Sequence, residues 1–383
     1  MKRLLPLLLC ILLLCSLPAP AAFALEPLRD EALPIAAPSA ILMEKETGTV
    51  LYEKNADERL SPASVTKVMT LLLIMEDLEA GKISLEDTVT ASARAASFGG
   101  SCVYLEQGEQ MSVHEMIKCI TVVSANDCAV AMAEHLCGTE ELFVERMNRR
   151  AQELGLENTH FTNCTGLFED AEHYSSARDI AVMSRELIQH ELIKDYSTIW
   201  MDSIRDGSFG LTNTNKLVYW YEGCTGLKTG YTAKAMYCLS ATAERDGVEY
   251  IAVVMHGESI DSRNNDAMAL LDYGFRSFRL CPLLPEGELP RLPVELGREE
   301  SVALRPAGPL WALVPQGSTA PEYRLELSEN VTAPVKEGQI LGTVFVSLDG
   351  EPIGELPLAA AEELPREGFW ALFLRLAASL TGR

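Results

Sequence analysis

The chain has 383 residues, 48% of them apolar, and carries 55 acidic side chains against 32 basic ones, a formal charge of −23. That length admits two domains, each with a packed core. A surface so acidic repels phosphate backbones, which excludes nucleic-acid binding as the function.

The first residues are Met1-Lys2-Arg3, followed by an apolar run from Leu4 to Leu17 and the small-residue site Ala22-Phe23-Ala24. Charge, apolar run and small residues in that order predict a secretory leader, residues 1–24, cleaved after Ala24. Pro18 and Pro20 break the run before it reaches the ~18 apolar residues of a spanning helix. Export permits disulfides, but the later cysteines, from Cys102 to Cys281, include no Cys-x-x-Cys pair, and no histidine spacing suggests zinc. They read as small core residues, and neither metal nor cofactor is expected.

Ser39 to Glu53 alternates about Thr47-Gly48, the pattern of a β-hairpin. Ser61-Pro62 predicts a helix cap with proline at the first helical position, and the helix runs to Ala80, where Gly81 stops it. From Val65 to Met75 it is apolar almost all round, the mark of a buried helix, and Lys67 is its only basic residue. Ser112 to Cys137 and Asn148 to Ile193 are rich in helix formers, and Ser176 with Asp179 three residues on resembles a capping box.

From Gly223 the pattern turns to strands, over 226–232, 237–243 and 250–255, with a turn at Asp246-Gly247. A helix over 266–278 closes the run. Strands, then helices, then strands predict an α/β domain of the α+β kind, residues 25–280, with one sheet backed by helices and a helical part inserted. Clustered prolines from Pro282 to Pro309, and β-type runs at Ser301–Leu304, Glu322–Leu327 and Ile340–Leu348, predict a small β domain over 281–365.

In the tail, residues 366–383, Phe369, Phe373, Leu376 and Leu380 recur at helical spacing beside Trp370 and Ala377, with Arg366, Arg375 and Arg383 supplying charge. This apolar part is too short to cross a bilayer. It suits a helix lying in the membrane interface, or one docked on the β domain.

No Gly-x-Ser-x-Gly elbow is present, and the six histidines show no partner spacing. Ser64-Val65-Thr66-Lys67 is instead the one Ser-x-x-Lys in the chain. Residues three apart on a helix share a face, so the Lys67 amine reaches the Ser64 hydroxyl. An apolar helix desolvates that amine, which lowers its pKa and makes it a base. Under the cap at Ser61, Ser64 is the third helical residue, and its free N–H can help stabilise an oxyanion. Ser124-Ala125-Asn126 and Lys228-Thr229-Gly230 follow in the order that serine acylases of this motif set require. Ser-x-Asn recurs at Ser262 and Ser328, whereas Lys-Thr-Gly occurs once.

With Thr47-Gly48, Gly99-Gly100-Ser101, Tyr174-Ser175-Ser176-Ala177-Arg178-Asp179 and Gly226-Leu227-Lys228-Thr229-Gly230-Tyr231-Thr232, the chain from about Ser39 to Leu364 resembles the low-molecular-mass penicillin-binding proteins of the D-Ala-D-Ala carboxypeptidase type. The resemblance implies a β-lactamase/transpeptidase-like fold with an antiparallel sheet, flanking helices and a helical subdomain. It implies Ser64 as nucleophile, Lys67 as base and Ser124 as proton relay. Asn126 would hold the substrate amide, Lys228, Thr229 and Gly230 would line the substrate's carboxylate end, and the Tyr231 N–H would complete the oxyanion hole. Arg263 resembles the family's carboxylate-binding arginine, a role that suits a guanidinium. The implied partners are peptidoglycan stem peptides and β-lactams, met outside the cytoplasmic membrane.

The chain departs from the family at Tyr231, where histidine is common, and near Met236, where glycine is. Two rivals share the motifs. A class A β-lactamase needs a deacylating glutamate, and no Glu-x-x-Leu-Asn lies between the second and third motifs. A non-catalytic wall-binding protein would keep the fold without turnover, and the intact Ser64, Lys67 and Lys228 count against it.

Overall fold

The computed structural model describes residues 27–29, 33–168 and 170–380, so the leader expected over residues 1–24 lies outside the described residues. The chain separates into a unit of residues 26–279 and one of residues 280–383.

The first unit is built on a six-stranded sheet. Its strands are β1 (Leu28–Arg29), β2 (Ser39–Glu44), β3 (Val50–Lys54), β4 (Cys224–Thr232), β5 (Met236–Arg245) and β6 (Val248–Gly257), in the order β1-β3-β2-β6-β5-β4. The expected hairpin is β2–β3, with Ile41 opposite Glu53. β2 and β6 are buried along nearly their whole length because both faces are covered. Ile251, Val253 and Met255 of β6 join the main core with α1 (Lys67–Glu79), the buried helix. On the other face Tyr250 meets Phe275 of α6 (Ile260–Ser277), ring centroids 4.9 Å apart. This alternation follows from the two-residue period of a strand.

The inserted helical part holds α2 (Val113–Val122), α3 (Asn126–Cys137), α4 (Glu140–Glu153) and α5 (Ala177–Leu187). Ser112 caps α2 in a full capping box with Glu115. Ser176 caps α5, its hydroxyl accepting from Asp179 N at 3.1 Å. The Asp179 carboxylate, however, accepts from Asn158 N and Thr159 Oγ1 instead of closing the box.

Three expectations need correction. Ser61 is no cap: the chain enters α1 through a 3-10 turn, Ala63–Thr66, with no side-chain cap. The stretch 148–193 is helical only at its two ends, and 154–176 is largely irregular because Asn163, Gly166 and their neighbours form turns. The closing helix begins at Ile260, capped by the Ser259 hydroxyl on Ser262 N at 3.0 Å. Arg263 therefore sits on a helix, 3% exposed, and not in a solvated loop.

The second unit carries a four-stranded antiparallel sheet of β7 (Leu304–Pro306), β8 (Glu322–Leu327), β9 (Ile340–Leu348) and β10 (Glu351–Ala360), ordered β7-β10-β9-β8. Val344, Val346, Leu356 and Leu358 lie in its core. A helix, α7 (Phe369–Leu380), follows, and no described helix is long and apolar enough to cross a membrane.

Candidate active site

Ser64 and Lys67 lie at the junction of the 3-10 turn and α1, where Lys67 Nζ donates to Ser64 Oγ at 3.2 Å. The tight entry has a cause. Ala63 takes a left-handed φ of +46°, and its carbonyl faces Gly166 so closely that a Cβ there would lie 1.8 Å from it. Lys67 is fully buried. Besides Ser64 it donates to Asn126 Oδ1 at 2.6 Å and to the Thr165 carbonyl at 2.8 Å. Burial lowers its pKa to about 7, against weaker opposing effects of Cys164, Cys102 and Asp127. The desolvated amine expected from the sequence is thus present, half-neutral near pH 7.

Asn126 opens α3 and is itself held by its Nδ2 on the Gly99 carbonyl, 2.8 Å, and its N–H on the Ser101 carbonyl, 2.7 Å. The Gly99 carbonyl can only accept, so Nδ2 faces it and Oδ1 is left for Lys67. Two residues earlier, Ser124 has φ +63°. Its hydroxyl is buried and has no hydrogen-bond partner among the described residues. A strained backbone holding an unsatisfied hydroxyl is a cost to stability.

β4 is the edge strand of the sheet and supplies the third motif. Gly230 permits its approach: a Cβ there would stand 2.7 Å from Pro62 O and 3.1 Å from Ser64 N. Lys228 is 1% exposed and donates to the Thr229 carbonyl at 3.0 Å. Burial, then Lys67, then Arg263 push its pKa well down. Thr229 Oγ1 donates to Thr214 Oγ1 at 2.7 Å. In an antiparallel edge strand alternate residues turn N–H and C=O away from the ladder. The Thr229 carbonyl marks that open side, and Tyr231, two residues on, presents its N–H there too. The Ser64 N–H has no acceptor among the described residues. The Tyr231 ring is exposed and rests on Tyr237, centroids 4.5 Å apart.

Sequence reasoning missed the loop that closes the site from the other side. Asn163 Oδ1 accepts from Thr165 N, Thr165 Oγ1 and Gly166 N at 3.1, 3.0 and 2.7 Å, which turns the Thr165 carbonyl onto Lys67. Residues one turn apart grip the same loop: Thr70 donates to the Cys164 carbonyl, and Thr66 Oγ1 meets His173 Nε2 at 2.8 Å. His173 Nδ1 accepts from Thr162 N at 3.0 Å, so Nε2 carries the proton. The signal available in the sequence was Asn163 with Thr165 and Gly166, a run of turn-forming residues hidden inside a stretch read as helical.

A sequence model of the D-alanyl-D-alanine carboxypeptidase family matches residues 26–259. The chain belongs to this family. A model of the penicillin-binding protein 5 C-terminal domain matches residues 278–366 of the same carboxypeptidase-family chain. D-alanyl-D-alanine carboxypeptidase DacF of Bacillus subtilis is 44% identical over 376 residues, 96% of either chain. DacA of Escherichia coli is 35% identical over 348 residues, 88% of this chain and 85% of that one. Among solved structures, penicillin binding protein 5 from Haemophilus influenzae superposes with a TM-score of 0.75 at 32% identity, covering 87% of this chain and 98% of that one. The mixed α/β fold with a following β domain is therefore that of the low-molecular-mass penicillin-binding proteins.

Proposed function

We propose that this chain is a serine-type D-Ala-D-Ala carboxypeptidase that removes the terminal D-alanine from peptidoglycan stem pentapeptides through an acyl-enzyme. The observation that carries the reading is Lys67, buried without a carboxylate partner among the described residues, its Nζ 3.2 Å from Ser64 Oγ and its pKa near 7. Neutral Lys67 takes the Ser64 proton as Oγ attacks the carbonyl of the penultimate D-alanine. The Ser64 and Tyr231 N–H groups receive the oxyanion. Ser124, whose hydroxyl is uncommitted, relays to the departing amine the proton that Lys67 took from Ser64, so the peptide C–N bond breaks and D-alanine leaves with a free amine beside its carboxylate. Water then hydrolyses the ester and restores Ser64.

Asn126 would hold the amide of the scissile region. Lys228, Thr229 and Arg263 would hold the free carboxylate, and Gly230 would keep β4 close enough for them to reach it. Among the described residues no carboxylate figures in the groups acting on Lys228 or Arg263, which supports an anionic ligand there. β-Lactams, with a strained carbonyl beside a carboxylate, would acylate Ser64 and hydrolyse slowly.

The cell-wall substrate supports a location outside the cytoplasm, after removal of residues 1–24, with residues 281–365 as an accessory β domain. Phe369, Trp370, Phe373 and Leu374 of α7 are 72%, 73%, 54% and 66% exposed, an arrangement that supports a tail lying in the membrane interface. The reading is tested by D-alanine release from a stem pentapeptide. Release by the wild type that vanishes in Ser64→Ala is expected; no release together with reversible peptide binding would favour a non-catalytic wall-binding protein.

A further inference from the structure

Arg263 occupies a position that stability alone does not account for. It is the fourth residue of α6, at the helix end where the dipole disfavours a cation. It is 3% exposed and acts on a second buried cation, Lys228. Burial lowers its pKa to about 10, only partly opposed by Cys238 and Tyr237.

The side chain that steadies it is its neighbour Asn264, also 3% exposed. Asn264 Oδ1 accepts from Arg263 Nε at 3.2 Å and from Nη2 at 3.1 Å, while Arg263 Nη1 donates to the Cys238 carbonyl at 3.3 Å. A guanidinium has five N–H donors and no acceptor, so Oδ1 and not Nδ2 must face it. Three donors are thereby engaged. The two that remain sit one on each terminal nitrogen, the pair that grips a carboxylate in bidentate fashion.

Asn264 Nδ2 is left buried without a partner among the described residues, a destabilising arrangement. An aspartate of the same shape would accept the same two hydrogen bonds, leave no orphaned amide and pair with the buried cation. It would also cancel the charge that a carboxylate substrate needs.

We propose that Asn264 is a positioning residue for substrate specificity: an uncharged clamp that aims the Arg263 fork at the substrate's terminal carboxylate while leaving the guanidinium charge unspent. This rests on the carboxypeptidase reading above and extends it to a residue outside the three motifs.

The test compares kcat and KM for two peptides that end in D-Ala-D-Ala, one as the free acid and one as the C-terminal amide, with melting curves to establish folding. In Asn264→Asp the KM for the acid rises about tenfold with kcat nearly kept, and the preference for acid over amide falls by about the same factor, the size of one charge-assisted contact. The melting temperature holds or rises. Asn264→Ala, which loosens the guanidinium without neutralising it, raises the KM for the acid by about threefold, a smaller loss than in Asn264→Asp. An unchanged preference in folded Asn264→Asp would overturn the proposal, as would an equal loss in both variants, which marks a packing role. A wild type indifferent to acid and amide would instead overturn the carboxypeptidase reading itself.

Discussion

Two pairs of sequestered lysines in the catalytic unit have opposite surroundings. Lys45 and Lys194 converge on Glu249, itself 3% exposed, at 3.2 and 3.1 Å. Burial acts to lower the Lys194 pKa, but Glu244 and Glu249 outweigh it, and the net shift is upward. Lys67 and Lys228 have burial without an ion-pair partner among the described residues, and both are shifted down. A buried charge is tolerated when paired, and an unpaired one titrates instead. The first pair therefore reads as architecture and the second as chemistry.

That contrast can be broken in order of effect. Lys67→Ala removes the base and is expected to lower the Ser64 acylation rate by about a thousandfold, the scale of general-base catalysis, measured with a fluorescent penicillin. Gly166→Ala comes next. Its Cβ would strike the Ala63 carbonyl, and its φ of +73° favours glycine, so both the melting temperature and acylation should fall, by about 4 kcal/mol in stability. Glu249→Gln strips the paired cluster of its shared anion and should cost about 3 kcal/mol of stability while leaving the acylation rate of folded protein unchanged. Urea titration beside that rate separates the two effects.

The narrowest effect, confined to acid pH, is a pH dependence at His173, whose pKa burial lowers from 6.5 to about 4, with His160 adding and Asp170 opposing. The unfolded chain binds this proton first, so the group's contribution is full above pH 6.5 and is lost as pH falls towards 4. Replacing His173 with Gln should flatten that part of the stability profile.

Much of this was legible beforehand. The β2–β3 hairpin, the buried helix and the three strands of the second half each announce themselves by a local period, and Ser64 and Lys67, the proposed nucleophile and base, are three residues apart on one turn. What could not be read locally was set by distant contacts. The 3-10 entry to α1 answers to Gly166, about a hundred residues on. The loop from Asn163 to His173 owes its shape to side-chain hydrogen bonds with α1, and a stretch rich in helix formers yields where such bonds exist. Nothing local shows that Arg263 is buried; its burial follows from a helix that starts at Ile260, six residues before the expected start at Asp266.

The most direct test of the account is the pH profile of Ser64 acylation in the wild type, with Ser64→Ala as the blank. Because Lys67 must be neutral to act and its pKa is about 7, the rate is expected to rise with pH and level off above an inflection near 7. An inflection near 10, the range of an ordinary exposed lysine, or a rate independent of pH between 5 and 9, would contradict the claim that a desolvated, unpaired Lys67 is the base.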